Sequence, residues 1–244
     1  MVKKTAAAIL SLMMAAFAAP AAADPLVLAE DLHEEVRIEL NENAQYIYSC
    51  RYPQVDLTDP SAELINAFYR YRAEDAMGFE IPMNADFYRS QGTAENVTVD
   101  ISYEVTCNGE DFFSVLIRTR QDALTTYAGH TFSRKDIKPG SSVALPYLLG
   151  MLESEETDTW LQDRQTGKAD TVVREMVWDR ILDMDLELRE DLTEESLEYA
   201  FFPEEDFYLD EEQPPVFYLQ PGVAEDSDVL IAIPISIEEI LDEL

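Results

Sequence analysis

The sequence is poor in the residues on which several kinds of catalytic and cofactor sites depend. Of its 244 residues, eight are glycine, two are histidine and two are cysteine. A phosphate-binding loop needs several glycines at fixed spacing, and no such motif occurs. His33 and His130 lack the spacing of a zinc-binding pair, Cys50 and Cys107 are far apart in sequence, and no nucleophile-elbow motif occurs. We therefore expect no metal site, no cofactor and no enzymatic activity.

Basic residues are also scarce. The chain has 17 lysines and arginines against 50 acidic residues, for a net charge of −33. Such a surface repels nucleic acid and anionic lipid and attracts cationic partners. A hydrophobic content of 47% is too high for a disordered acidic tail. The acidic residues are expected to coat a folded domain, where they either recruit a cationic protein or only keep the domain soluble.

Residues 1–23 have the pattern of a cleavable signal peptide. Lys3 and Lys4 precede an apolar stretch, and Ala21-Ala22-Ala23 supplies small residues before Asp24. The apolar stretch is shorter than the roughly 20 residues that span a bilayer, although a retained N-terminal anchor is the alternative. Cleavage near Ala23 removes two lysines and no acid, which changes the net charge from −33 to −35. We expect a periplasmic or extracellular product with no stable membrane insertion.

Two cysteines in an exported chain favour a disulfide between Cys50 and Cys107. In the chain-entropy model, closing a loop of that length stabilises the fold by about 4 kcal/mol. The alternative is a pair of buried thiols.

The first half of the sequence has the patterns of strands and one helix. Residues 97–107 alternate apolar and polar, and Asn108-Gly109 is typical of a hairpin turn. The other predicted elements are a hairpin over 36–52, a helix from Asp59-Pro60 to about Gly78, and strands at 112–120 and 125–133.

The second half is richer in helix. Apolar residues recur at helical spacing over 156–189, with an interruption predicted at Gly167. Short strands are predicted at 207–209, 216–219 and 229–233, and Ser236 with Glu239 forms a capping-box pattern before a last helix. This order favours an α+β fold, mainly antiparallel sheet with packed helices. We expect two lobes that share one compact unit, an N-terminal lobe over 24–140 and a helix-rich C-terminal lobe over 141–244.

The aromatic residues form two groups. Tyr46, Tyr48 and Tyr52 share one strand face with Cys50, and a second group lies near the C-terminus at Phe207, Tyr208, Phe217 and Tyr218. Most are expected in the core. Any that are exposed would be good anchors for a protein or a glycan, because tyrosine combines contact area with a polar tip.

Several segments, in this order, resemble a family of exported bacterial domains. They are Tyr52-Pro53-Gln54-Val55, the helix around Ile65-Asn66, the hairpin 99–117, the run from Thr131 to Gly140, and the C-terminal segments 207–209, 216–221 and 231–234. The family is DUF3298/DUF4163-like. It forms the extracytoplasmic lysozyme-binding region of the anti-sigma-V factor and also occurs beside polysaccharide deacetylase domains.

This resemblance implies an exported, non-catalytic binding domain of the cell envelope, with a cationic protein such as lysozyme as partner. The alternative is a peptidoglycan-binding or glycan-binding protein, or an accessory to wall modification. The candidate binding residues are Tyr208, Phe217, Tyr218, Gln220 and Pro221. The loop that follows, residues 222–228, is shorter and more acidic than is usual in the family. The identity of the partner therefore does not carry over.

Overall fold

The computed structural model describes residues 24–135, 138–152, 158–211 and 214–244. The predicted signal peptide lies outside these residues, as do the predicted helix start at Glu156 and the turn residue Gln213. The described residues form helices and two mostly antiparallel sheets. The predicted α+β class is therefore confirmed.

The larger sheet contains five strands in the order β1-β2-β3-β4-β5. Their bounds are Leu32–Glu39 (β1), Gln45–Tyr52 (β2), Val97–Asn108 (β3), Phe112–Gln121 (β4) and Leu124–Ser133 (β5). Neighbouring strands are antiparallel except β2 and β3, which are parallel. The predicted hairpin over 36–52 and the three predicted strands that follow it are confirmed.

A helical crossover connects the parallel strands β2 and β3. It consists of α1 (Ala62–Asp75), a π-helical turn (Ala76–Glu80) and α2 (Ile81–Ser90). The predicted helix end at Gly78 is wrong, because the chain changes to π geometry there and continues as helix. The buried side chains of the crossover pack on the sheet and include Ile65, Tyr69 and Ile81.

The C-terminal part of the chain has its own sheet and its own core. Strands β6 (Phe207–Leu209), β7 (Pro215–Leu219) and β8 (Ile231–Pro234) form an antiparallel sheet. Four helices accompany it, α3 (Leu145–Leu148), α4 (Thr159–Asp183), α5 (Glu194–Leu197) and α6 (Ile237–Glu243). The capping box predicted at Ser236 and Glu239 is confirmed.

Helix α4 passes through Gly167 without a break, so the interruption predicted there is wrong. Ala169, Val173, Val177 and Ile181 recur every four residues and are fully buried. A single glycine inside a helix destabilises it by about 1 kcal/mol. The burial of this apolar stripe stabilises α4 by more than that, so the helix continues. These residues and the small sheet form the second hydrophobic core.

The two sheets meet where the outer face of β4 and β5 contacts β6 and β7. The Gly129 amide donates to the Tyr218 hydroxyl at 2.9 Å, and the Leu209 amide donates to Ser114 Oγ at 3.0 Å. The Gln220 side chain bonds both backbone groups of Tyr127, at 2.8 and 2.9 Å. The Val143 amide, beyond the predicted lobe boundary at residue 140, still donates to the backbone of β5. The position of that boundary stays a prediction.

The predicted disulfide is wrong. In the parallel pair β2–β3, Cys50 lies opposite Ile101, and Cys107 is six residues further along β3. At about 3.3 Å per residue, this offset separates the two cysteines by roughly 20 Å. A disulfide needs Cα atoms within about 7 Å. Both cysteines are free and buried, and burial raises the pKa of each thiol.

Gly129 is required by the close approach of the two sheets. A Cβ atom at this position would lie 1.8 Å from the carbonyl oxygen of Phe207. We therefore expect Gly129→Ala to lower the free energy of unfolding by about 3 kcal/mol, because backbone must move to accommodate the methyl group. The matched control is Gly167→Ala in α4, where nothing lies within 4 Å. It should raise stability by up to about 1 kcal/mol. Urea unfolding of both variants measures the difference, and a neutral Gly129→Ala would contradict this packing.

Candidate functional site

A cavity of about 570 Å³ lies between the five-stranded sheet and the helical crossover. Its floor consists of side chains of β2–β5 that face the helices, and its roof is formed by α1, the π-helical turn and α2. Pockets of this size are typical of sites for small molecules. We refer to it as the aromatic cavity.

The walls of the aromatic cavity are rich in rings. Tyr46, Tyr48 and Tyr52 point from β2 toward the helices, and Phe68 and Tyr71 contribute from α1. The prediction that the three β2 tyrosines share a face with Cys50 is confirmed by the alternating burial of this strand. The cavity that they line was not foreseen.

Tyr48 lines the cavity with its ring, and its hydroxyl is buried behind the cavity wall. The residue is 3% exposed, and its hydroxyl has no hydrogen-bond partner among the described residues. Burial raises the pKa of the hydroxyl, and the neighbouring Tyr52 and Cys50 raise it further, so the group is neutral. A buried hydroxyl without a partner costs about 1–3 kcal/mol. The hydroxyl oxygen has almost no accessible surface, and it lies against the side chains of Tyr52 and Cys50 and not against the open part of the cavity.

His130 enters the cavity from β5 and is neutral. Burial, together with the smaller effect of the nearby Arg72 charge, lowers its pKa to about 3. Its Nδ1 lies 3.3 Å from the Tyr69 hydroxyl, and its ring packs edge-on against Phe68 with centroids 5.0 Å apart. An imidazole with so low a pKa is a weak general base near pH 7. The residue is therefore a neutral polar part of the wall.

The polar part of the floor comes from Thr119 and Gln121, which occupy inward-facing positions near the end of β4. The Gln121 amide donates to the Tyr88 hydroxyl at 2.6 Å. Asn84 of α2 lines the same region. The inward-facing residues earlier in β4, Phe113, Val115 and Ile117, are buried and apolar. This change from apolar to polar was the sequence signal that could have indicated a cavity.

Charged residues lie at the mouth, in the last turn of α1 and at the end of the π-helical turn. Arg72 precedes the turn and stacks its guanidinium over the Phe68 ring, 5.3 Å from the centroid. Asp75 and Glu80 line the same mouth. No ion pair involves Arg72 within the described part of the chain. Short π-helical segments occur often at functional sites, and this one brings a cation and two carboxylates together at the mouth.

The structure places two of the five predicted binding residues in the interior. Phe217 packs with Phe201 and Phe207 in the second core, and the Tyr218 hydroxyl accepts the Gly129 amide at the junction of the sheets. Both are fully buried, as was expected for most of this aromatic group. A role for them in binding stays a prediction.

The remaining three predicted binding residues are half-buried. Tyr208 stacks on Tyr218 with ring centroids 6.1 Å apart, and the Gln220 amide is bonded to the backbone of Tyr127. Pro221 follows at the end of this segment. Their role in binding stays a prediction.

A second group of perturbed titratable side chains lies in the C-terminal part of the chain. Burial and the neighbouring Glu204 together raise the pKa of Asp170 in α4 to about 8, and the Arg174 charge opposes part of this rise. Burial also raises the pKa of Asp206 to about 6, although the Phe202 amide, which donates to it at 2.8 Å, opposes the rise. Among the described residues, no group of three or more histidine, cysteine or acidic side chains could hold a metal ion.

The proton held by Asp170 makes stability depend on pH. Its folded pKa is raised from 3.8 to about 8. The folded state therefore keeps a proton that the unfolded chain releases above about pH 4. This contribution to stability is present at low pH and is lost as the pH rises through 8. Asp170→Asn, which mimics the protonated form, should make the decline in stability between about pH 5 and pH 8 shallower. Urea unfolding across this range tests it, with the exposed Asp179→Asn on the same helix as control. Equal slopes for the two variants would contradict the assignment.

Comparisons with known proteins give matches to solved structures alone. No family model matches the sequence, and no curated protein matches it. A DUF3298 family protein of Pseudomonas aeruginosa is similar with a TM-score of 0.50 at 11% identity, over 89% of this chain and 94% of that one. A DUF3298 family member of Bacteroides fragilis gives a TM-score of 0.48 at 11% identity, over 90% and 94%. The similarity to the DUF4163 and anti-sigma-V proteins stays a prediction. At this identity the Pseudomonas structure establishes the fold, which is DUF3298-like.

Proposed function

We propose that this chain is an exported, non-catalytic binding domain that acts at the cell envelope and takes its ligand in the aromatic cavity. The observation that carries the proposal is the cavity itself, which is preformed between the sheet and the crossover and is lined by tyrosine rings together with Thr119 and His130. Binding sites for small molecules are typically concave and lined by apolar and aromatic side chains with a few polar groups, and the aromatic cavity has this composition.

The protonation states in the cavity favour binding over proton transfer. His130 is neutral with a pKa of about 3. Burial raises the pKa of the Tyr46, Tyr48 and Tyr52 hydroxyls, which keeps them protonated. A general acid or base is most effective when its pKa lies near the working pH, and these groups are far from it.

The proposed location depends on the N-terminal pattern of residues 1–23, which is typical of a signal peptide. No helix within the described ranges is long and apolar enough to cross a membrane. The site of action in this proposal is the periplasm or the extracellular face of the envelope.

A cationic protein such as lysozyme is a second candidate partner, bound at the acidic surface instead of in the cavity. The net charge of −33 favours it, since opposite charge accelerates encounter. A surface depression of about 430 Å³ combines the Tyr208 ring with Glu104 and Glu211 at the junction of the two sheets. Of the predicted binding residues, Tyr208 is the one that fits this candidate.

A cavity-blocking variant tests the first candidate. Thr119→Trp places an indole on the cavity floor, whereas Thr98→Trp places one on an exposed position of β3 that faces away from the helices. After incubation with a low-molecular-mass envelope extract, native mass spectrometry should show an adduct on the wild-type protein and on Thr98→Trp. Thr119→Trp should show none. An adduct that survives on folded Thr119→Trp would place binding outside the cavity.

Titration calorimetry with lysozyme tests the second candidate. If recognition is specific, heat of binding persists at physiological salt. The Tyr208→Ala variant should then bind lysozyme at least tenfold more weakly than the wild type, as expected for an interface anchor. Binding that disappears with modest salt reflects non-specific attraction between opposite charges and would remove lysozyme as a partner.

A further inference from the structure

We infer that β1 is a dimerisation edge, which pairs antiparallel with β1 of a second copy of this chain about a two-fold axis through Val36. The inference goes beyond the proposed function, because in the described part of the chain no residue of β1 lines the aromatic cavity. Three properties of the strand lead to it, namely its open backbone edge, the order of its charges and its half-buried apolar side chains.

Strand β1 is the last strand of the five-stranded sheet, and one of its edges is open. It pairs with β2 in a regular antiparallel register from Leu32 to Glu39, and it contains neither proline nor glycine. Among the described residues, no strand pairs with its other side. The Arg89 side chain covers only the end of this edge, where it donates to the Glu39 carbonyl at 2.9 Å. An open edge presents backbone donors and acceptors that can bind another strand.

The exposed face of β1 carries charged and basic side chains in alternating order, at His33, Glu35, Arg37 and Glu39. An antiparallel pair centred on Val36 brings together residues that lie equally far on either side of it. Glu35 then lies opposite Arg37 of the second copy, and His33 lies opposite Glu39. Because of the two-fold symmetry, each contact occurs twice. Opposite charges in such cross-strand pairs stabilise the pairing.

Other registers that keep the same face toward the helices are less favourable. A pair centred on Glu34, Glu35 or Arg37 places that residue opposite its own copy, and like charges directly opposite each other destabilise a sheet. A pair centred on Ile38 engages only residues 37–39 of β1. The order of charges therefore selects one register, and it fits a second copy of the same strand.

The helix-facing side of β1 leaves apolar surface at the open edge. Leu32, Val36 and Ile38 pack against the first core and remain half-buried. In the proposed pair Val36 meets its own copy, which removes apolar area from water on both sides of the axis. Glu34 lies opposite Ile38, and a charge at an inward position weakens edge pairing. The interface is also small, so we expect a reversible dimer that forms at high protein concentration.

The net charge of −33 on each copy opposes association at long range. At physiological ionic strength the screening length is about 8 Å, so most of the repulsion between distant surfaces is removed. The contacts across the edge act at shorter range than this. Physiological salt is therefore the condition in which the dimer is expected.

Disulfide trapping tests the register. Val36→Cys places two thiols opposite each other on the axis, where opposed Cα atoms of antiparallel strands lie about 4.5–5.5 Å apart. In Ile38→Cys, the matched control on the same face, the two thiols are offset by four residues, about 13 Å at roughly 3.3 Å per residue. A disulfide needs Cα atoms within about 7 Å. In a glutathione buffer Val36→Cys should form a covalent dimer, and Ile38→Cys and the wild type, whose own cysteines are buried, should not. Equal crosslinking of the two variants would overturn the inference.

A charge swap tests the contacts themselves. Sedimentation of the wild type at physiological salt should show a dimer at concentrations up to about 1 mM, as expected for a small interface. Arg37→Glu places two glutamates opposite each other on both sides of the axis and should weaken the dimer at least tenfold. The double variant Glu35→Arg/Arg37→Glu restores opposite charges and should restore the dimer.

The control for the swap is Arg118→Glu, which makes the same change in net charge at an exposed position of β4. It should leave the dimer unchanged. Both single variants change exposed side chains, so their melting temperatures should stay close to that of the wild type. A wild type that remains monomeric at about 1 mM, or a dimer that Arg37→Glu and Arg118→Glu weaken equally, would overturn the inference.

Discussion

The parallel pairing of β2 and β3 is the constraint on which the rest of the N-terminal structure depends. Two parallel strands cannot be joined by a tight turn, because the chain must return to the starting edge of the sheet before the second strand begins. Residues 62–90 make this return as helix, and they lie on one face of the sheet. The aromatic cavity is the space that remains between this crossover and the strands below it. The location of the candidate site is therefore a consequence of topology.

The junction with the C-terminal sheet uses the opposite face of the same strands. Along β4, inward-facing residues such as Ile117 serve the first core, and Ser114 on the other side bonds to the backbone of β6. Both faces of β4 and β5 are thus occupied over part of their length. The second sheet supports the cavity floor from behind, although none of its residues reaches the cavity. This arrangement restricts movement of the floor strands.

Sequence periodicity predicts which residues are buried when an element has one solvent-exposed face. It does not do so when both faces of the element are buried. Strand β3 alternates in sequence, and its apolar residues from Val97 to Val105 face the first core, whereas a bulge between Val105 and Cys107 turns Cys107 away from it. In β7 all five residues are buried, because one face packs in the second core and the other packs on β5. A period of two then carries no information about exposure, so it could not show which of the C-terminal aromatic residues, such as Phe217 and Tyr218, lie in the core. The glycines at 78 and 167 were read as helix breakers, but their local preference is weak and tertiary packing prevails.

The cavity and the separation of the cysteines share one reason for having been missed. Both follow from the register of β2 against β3, two strands that lie more than forty residues apart in sequence. Local patterns contain no record of which distant strands pair or in which direction. The sequence shows polar residues at inward-facing strand positions, namely Thr119, Gln121 and His130. Whether they line a cavity depends on how the helical crossover packs over the sheet, which the local sequence does not specify. The order of strands and helices, by contrast, is a local property, and it led to the correct fold class.

The two unpaired thiols bear on where this chain is able to fold. Since no covalent crosslink is needed to complete the native structure, nothing in it ties folding to an oxidising compartment. The native state is therefore equally accessible in a reducing and in an oxidising compartment. In either compartment the β2–β3 pairing is expected to form late in folding, since it joins residues that are distant along the chain.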